Sequence, residues 1–278
     1  MTGTHAGAVV TGAGRGLGKE IARLLAGRGY QVLLTDLDIT TASNAAAEIG
    51  GDATAMAVDV RDATQVEAAR DAIVRTAGRL DVWVNNAGVL LTGPAWTQSA
   101  AQHKLMLDVN ALGTIHGTVA AIEAMRGHRG HIVNVVSLAG LTAVPGEAVY
   151  AASKHAAIGF SLSALADLRL AGITDIAISC LCPDGIWTPM LHDKLDDPGS
   201  ALSFSGKLLE PGEVVAAVGK VLDKPRPVTT IPLWRGLLAR LADGIPALGL
   251  RAAPLTVAHG RRIQRKLKRN AARRTPPD

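Results

Sequence analysis

Ala8-Val9-Val10-Thr11 is a β-branched run, and Leu17 to Gly29 carries Ile21, Leu24 and Leu25 at helical spacing until Gly27 and Gly29 stop it. The same alternation recurs downstream. Strand-like runs fall at 31–36, 53–58, 81–85, 130–137, 175–182 and 228–232. Helical stretches near 41–49, 64–77, 99–126, 148–171 and 211–223 separate them, each long enough to cross back over a sheet. Runs such as Ile132-Val133-Asn134-Val135-Val136 are almost continuously apolar, as a strand is when helices cover both faces of a parallel sheet. The pattern predicts an α/β fold, a single doubly wound domain over residues 1–232 with a seven-stranded parallel sheet and helices on both faces.

Two stretches break the pattern. Residues 187–210 hold Trp187, Met190, Leu191, Leu202 and Phe204 around Pro198-Gly199-Ser200, which predicts a mobile substrate flap. In 233–278, Trp234, Leu237, Leu238, Leu241 and Ile245 recur at helical spacing with Arg235, Arg240 and Asp243 between them, and Pro246 ends that helix. A basic tail follows.

Apolar residues at 48% and charged residues at 19% supply a sizeable core and exclude a wholly disordered chain. No apolar run of about 18 residues and no charged-then-apolar leader before Gly12 is present, so the expected location is cytoplasmic. Cys180 and Cys182 fall two apart on one strand and read as reduced. The net charge of +5 is unevenly spread: residues 251–278 carry nine Lys/Arg and one acid, so the first 250 residues are mildly acidic. That excludes nucleic acid as the expected partner. A short amphipathic helix beside a basic run predicts peripheral contact with an anionic membrane. Packing on a second subunit, closing over a substrate mouth and a solvated end are the alternatives.

Thr11-Gly12-Ala13-Gly14-Arg15-Gly16-Leu17-Gly18 follows the first strand and opens directly into the first helix. Glycines there allow a tight turn and close backbone approach, so a pyrophosphate can sit on N–H groups at the positive end of the helix dipole. Asp36 ends the second strand, where an acid can accept from both hydroxyls of the adenosine ribose and repels a 2′-phosphate. The expected cofactor is therefore NAD in preference to NADP, with Arg15 in the loop as the counterweight. Of the two tyrosines, Tyr30 and Tyr150, only Tyr150 has a lysine four positions later, Lys154, and Ser137 precedes it by thirteen. That spacing puts phenol and ammonium on one helix face, where the cation is expected to lower the phenol pKa toward neutrality.

With Asn85-Asn86-Ala87-Gly88 after the fourth strand, Asp59-Val60 after the third, and Asn110 on the long helix expected at 99–126, the chain resembles the short-chain dehydrogenase/reductases of the TGxxxGxG, NNAG and YxxxK pattern, over about residues 5–232. The resemblance implies a Rossmann domain and hydride transfer between a nicotinamide and an alcohol or ketone. It implies Tyr150 as acid/base, Lys154 as pKa modulator and ribose holder, Ser137 as hydrogen-bond donor to the substrate oxygen, and Asn110 as holder of a water. The implied cofactor contacts are Gly12, Arg15, Gly16, Leu17, Gly18, Asp36, Asp59, Val60, Asn86, Ala87, Gly88, Tyr150, Lys154, Pro183, Ile186 and Thr188. Where the family has Pro-Gly after the sixth strand, Pro183 is here followed by Asp184 and then Gly185. Glu147, three before Tyr150, reads as a loop acid, with a place at the substrate mouth as the alternative.

His103, His116, His128 and His131 fit no metal-ligand spacing, and no metal is expected. Leu90, Trp96, Leu138, Ala139, Leu141, Val144, Trp187, Met190 and Leu191 are expected to line an apolar substrate pocket. The expected substrate is thus a hydrophobic secondary alcohol or ketone. The competing readings are an NADP-linked 3-oxoacyl-thioester ketoreductase and a non-catalytic dinucleotide sensor localised by its tail. A homodimer or homotetramer through 99–126 and 148–171 is the expected assembly.

Overall fold

The computed structural model describes residues 6–272, so the basic positions Arg273 and Arg274 and the acid Asp278 lie outside the described residues. Seven strands, β1 (Gly7–Thr11), β2 (Gln31–Asp36), β3 (Thr54–Ala57), β4 (Leu80–Asn85), β5 (Gly130–Val135), β6 (Ile176–Pro183) and β7 (Val228–Ile231), pair in the order β3-β2-β1-β4-β5-β6-β7, every pair parallel. The doubly wound α/β expectation is met.

Side-chain alternation explains the continuous apolar runs. On β1, Val9 packs with Leu33, Trp83 and Ile132 on one face, while Val10 packs with Leu34, Val84 and Val133 on the other. Helix α1 (Gly16–Gly27) and helix α8 (Pro211–Asp223) cover the second face through Ile21, Leu25, Val214 and Val218. Helix α3 (Ala63–Ala77) and the segment 100–125 cover the first through Val66, Ile73 and Met125. Each large side chain fully buried this way contributes roughly 1.5–3 kcal/mol. Helix α2 (Ile39–Ile49) and α3 start at Asp38 and Asp62, whose side chains accept from Thr40 N and Thr64 N at 2.9 Å. Such caps contribute about 1 kcal/mol each.

The expected single helix over 99–126 is instead α4 (Ala100–Leu107), a π-turn at Asp108–Leu112 and α5 (Gly113–Met125). Periodicity does not register one wider turn, because the apolar stripe continues through it. This segment is long and apolar enough to cross a membrane, yet half of it is buried within the protein, as a layer of the core. Helix α6 (Ala148–Leu170) lies beside it.

After β6 the chain forms α7 (Pro189–His192) and a 3-10 turn at Pro198–Phe204, with Phe204 and Ala201 buried. The stretch expected as a flap is therefore anchored to the domain. Helix α9 (Leu233–Gly244) matches the expected amphipathic helix, but the tail after it is a second, long helix, α10 (Pro246–Ala272). A Cβ at Gly260 would stand 1.8 Å from Ala201 O, and Gln264 Nε2 donates to Asp197 O and Ser200 Oγ, each at 2.9 Å. These contacts hold α10 on the 198–204 turn, although Pro254 costs it one backbone bond.

Candidate active site

The sheet order reverses between β1 and β4, which opens a crevice at the carboxyl ends of the strands. The loop from β1 enters it with Gly12 and Gly16 at φ +61° and +57°, values that favour glycine. At Gly12 a Cβ would lie 2.8 Å from Ala87 Cα, and at Gly18 one would lie 2.3 Å from Gly12 O. Asn86 clamps the loop from the other side, its Nδ2 donating to Thr11 O and Gly12 O at 3.0 Å. The first turn of α1 has no side-chain cap, so its N–H groups remain for a ligand.

A cavity of about 980 Å³ runs from this loop along the strand ends. Gly12, Arg15, Gly16, Leu17, Gly18, Asp36, Asp59, Val60, Asn86, Ala87, Gly88, Tyr150, Lys154, Pro183, Ile186 and Thr188 all line it, as does Ser137. Asp36 Oδ2 accepts from Gly14 N at 2.9 Å, so the acid also shapes the loop. Arg61 forks onto Asp59, which holds that carboxyl below the usual range.

Asn110 does not line the cavity. It stands fully buried behind the wall, where Oδ1 accepts from Val89 N at 2.8 Å and Nδ2 donates to Val89 O and Ser153 Oγ. A Cβ at Gly88 would sit 3.3 Å from Asn110 Oδ1 and 3.7 Å from Lys154 Nζ, so this side chain braces the wall at the lysine. Asn85, the first residue of the Asn85-Asn86-Ala87-Gly88 motif, accepts from Trp83 Nε1 at 2.7 Å and donates to Asn134 Oδ1 at 2.9 Å; Asn134 Nδ2 donates to Ser161 Oγ. This chain of buried polar contacts links β4, β5 and α6 beneath the site.

Ser137 lies just beyond β5 and caps the 3-10 turn Leu138–Gly140, while Tyr150 and Lys154 stand one turn apart on α6. Lys154 Nζ is 5.7 Å from the centre of the Tyr150 ring and donates to Val135 O at 3.2 Å. The expected acidic phenol is not what this environment produces. Burial pushes the Tyr150 pKa up, the nearby Glu147 charge adds to the rise, and only hydrogen bonding with Ser137 opposes it. The same burial brings Lys154 down to about 8. Enclosure therefore sets the direction of the shift, and Tyr150 holds its proton at neutral pH.

Glu147 is not a plain loop acid. It is buried, lines the cavity, accepts from Ser203 Oγ at 2.5 Å, and has its pKa raised to about 7, chiefly by burial. Only its position before Tyr150 pointed to it. Asp184, the departure from the family pattern, is explained by Arg235 on α9, whose Nε donates to Asp184 Oδ2 at 2.8 Å. No sequence signal links positions so far apart.

Of the expected pocket residues, Leu90, Leu138, Ala139, Val144, Met190 and Leu191 line the cavity. Three do not: Trp96 is 87% exposed, Leu141 packs beside Val136 and Ile158, and Trp187 packs edge-on against His192. Their places are taken by Leu202 and by Leu238, Ala239, Ala242, Leu250 and Ala253 from α9 and α10. The four histidines have ordinary partners: His103, His116 and His128 hydrogen-bond with the carbonyls of Ala95, Val60 and Leu80, and His131 with Ser179. Among the described residues no group of His, Cys, Asp and Glu is placed to hold a metal. Burial holds the Cys180 and Cys182 thiols up at about 11 and 12, far from a nucleophile's range.

A glycine loop on a helix N-terminus, a Ser–Tyr–Lys wall and a cavity joining them define a nicotinamide-dinucleotide oxidoreductase acting on alcohols. The chain belongs to the short chain dehydrogenase family, whose family model matches residues 6–199. It is 37% identical over 205 residues to a cyclopentanol dehydrogenase of Comamonas sp. (strain NCIMB 9872), covering 72% of this chain and 81% of that one. It is 39% identical over 193 residues to the sex determination protein tasselseed-2 of Zea mays, covering 66% of this chain and 56% of that one. A short chain dehydrogenase/reductase from Burkholderia phymatum, solved in complex with NAD, superimposes with a TM-score of 0.78 at 28% identity, covering 88% of this chain and 95% of that chain.

Proposed function

We propose that this chain interconverts a hydrophobic secondary alcohol and its ketone with NAD as the partner. The observation that carries the reading is that Ser137, Tyr150 and Lys154 share one cavity with the glycine loop, and that the rest of its substrate end is walled mainly by Leu, Val, Ala and Met side chains, with Glu147, Ser203 and the paired Asp184 and Arg235 among them. Bound NAD supplies the hydride acceptor, and its reduced form the donor. Tyr150 holds the proton that the carbonyl oxygen takes during reduction and receives it back during oxidation. The Ser137 hydroxyl donates to the same oxygen and stabilises the charge that develops there. Lys154, positively charged below about pH 8, favours the phenolate that reduction leaves behind.

Preference for NAD is supported by Asp36 at the cavity edge and by Leu37 and Asp38 after it, which bring no cation to meet a 2′-phosphate. Arg61 is engaged by Asp59. One observation favours NADP: Arg15 is exposed and lines the cavity, and with the basic α10 it keeps a 3-oxoacyl-thioester ketoreductase as the second reading. Assembly as a homodimer or homotetramer is supported by Leu107, Leu112, Val119 and Leu162, exposed on α4, α5, α6 and the π-turn.

The test is turnover of a graded panel of cyclic and long-chain secondary alcohols with NAD and NADP, alongside Tyr150→Phe. The expected result is turnover that rises with apolar surface, at least tenfold better with NAD, and its abolition in the variant with NADH binding kept. Turnover confined to polar polyols, or unchanged in Tyr150→Phe, overturns the reading. Light scattering of the purified chain reads the assembly.

A further inference from the structure

Helix α9 leaves one side without a partner. Leu233, Trp234, Leu237, Leu241 and Ile245 are each more than half exposed, while Gly236 and Ala239 between them are buried against the domain. Spacings of three and four gather the exposed five on one stripe facing away from the protein. The direction is fixed, because a Cβ at Gly236 would stand 2.2 Å from Thr230 Oγ1 and the helix lies directly on β7. An apolar stripe of this kind on a folded surface marks a contact site.

On α10 the inward stripe of Ala253, Val257, Gly260 and Gln264 packs toward the domain, and the outward one carries Arg251, Leu255, Arg262, Arg265, Lys266 and Arg269. Arg262, Arg265, Lys268 and Arg269 surround one shallow depression. The two helices carry nine Lys/Arg and one acid, Asp243; Arg235 is paired with Asp184 and Lys268 with Asp196, which leaves seven cations on this face. A second copy meeting this face through a two-fold axis would bring like charge against like charge. An anionic bilayer offers both what the stripe and what the cations need, an apolar interior and phosphate charge at its surface.

The cavity reaches the same place. Leu238 and Leu250 line it while remaining 51% and 62% exposed, so its rim runs into the apolar stripe. We propose that α9 and α10 dock on an anionic phospholipid surface, with the cavity rim at Leu238 and Leu250 facing the lipid, so that an apolar substrate passes between bilayer and cavity without crossing water. Docking rests on these two helices alone; the passage rests also on the apolar-substrate reading above.

Flotation of the full chain with vesicles of phosphatidylcholine, with and without about a quarter phosphatidylglycerol, tests the docking. Binding is expected only with phosphatidylglycerol, weakening about tenfold or more between about 0.05 and 0.5 M salt. Leu237→Glu/Leu241→Glu and, separately, Arg262→Glu/Arg265→Glu are each expected to lose about tenfold in vesicle binding. Both are expected to keep NADH binding and turnover of a small water-soluble alcohol. Equal binding to both vesicle types, no binding, or variants that bind like the parent overturn the docking. Sedimentation showing self-association that Leu237→Glu/Leu241→Glu abolishes, without vesicle binding, assigns the face to a second copy instead. Phosphatidylglycerol vesicles are expected to raise turnover of a bilayer-dissolved long-chain alcohol several-fold and to leave the small alcohol unaffected; vesicle binding without that gain overturns the passage. Failure on every apolar alcohol overturns the substrate reading, with flotation still deciding the docking.

Discussion

Asp184 Oδ2 accepts from Arg235 Nε at 2.8 Å, and Arg235 Nη2 donates to Ser205 Oγ at 3.0 Å, so one guanidinium ties the end of β6, the 198–205 turn and α9 together. The Asp184 side chain is 8% exposed and that of Arg235 22%, so removing either leaves a poorly solvated charge. Asp184→Ala is expected to cost about 2–3 kcal/mol in urea unfolding and to raise KM for an apolar alcohol more than it lowers kcat. The double variant Asp184→Ala/Arg235→Leu is expected to recover part of that loss, and a double-mutant cycle of Asp184→Ala and Arg235→Leu with additive costs would contradict the coupling.

Glu147 makes stability depend on pH. Its pKa rises from 4.5 to about 7 on folding, so the folded chain binds the extra proton between those values and stability falls as pH climbs through that window. Glu147→Gln keeps an acceptor for Ser203 and removes the titration. Relative to the parent it is expected to gain nothing below pH 4.5 and up to about 3 kcal/mol above pH 7. Parallel unfolding curves at pH 4, 6 and 8 read the difference; a gap independent of pH contradicts it.

At Asp36, replacement by Ala removes the carboxylate proposed to meet the adenosine ribose and the acceptor for Gly14 N. The ratio of kcat/KM for NAD to that for NADP is expected to fall by about tenfold or more, the equivalent of about 1.4 kcal/mol. Steady-state kinetics with both cofactors measure it, and an unmoved ratio removes the role assigned to the carboxylate.

Gly260 is where α10 touches the 198–204 turn most closely. Gly260→Val places atoms where Ala201 O already stands, and a loss of roughly 1–3 kcal/mol is expected together with faster amide exchange in residues 198–204. Exchange as slow as in the parent would show that α10 does not hold the turn.

Strand β2 was legible to the residue, and β4, β6 and β7 to within a residue or so, because buried parallel strands leave apolar runs bounded by polar turns. The glycine loop, Ser137, Tyr150 and Lys154 were legible because fixed spacing along the chain becomes fixed geometry on a strand end and one helix face. Other features depend on distant pairing. Asp184 and Arg235 are far apart in sequence, and Trp96 and Leu141 have the chemistry of pocket residues but point elsewhere. The direction of the Tyr150 shift was misread because the offset to Lys154 is visible in the chain whereas the walls that exclude water are not. Helix α10 was hidden by its charge, since the stripe Ala253, Val257, Gly260 and Gln264 carries little hydrophobicity and gains its partners from the 198–204 turn and the residues just before it.

One wall of the substrate end comes from Leu238, Ala239, Leu250 and Ala253, all downstream of β7, whereas the glycine loop and Tyr150 belong to the sheet and its flanking helices. Part of the cavity wall is thus supplied by segments that carry none of the reacting groups, and it can be altered while the glycine loop, Ser137, Tyr150 and Lys154 stay as they are. An engineer wanting a new specificity would exchange the terminal helices and keep the catalytic chassis.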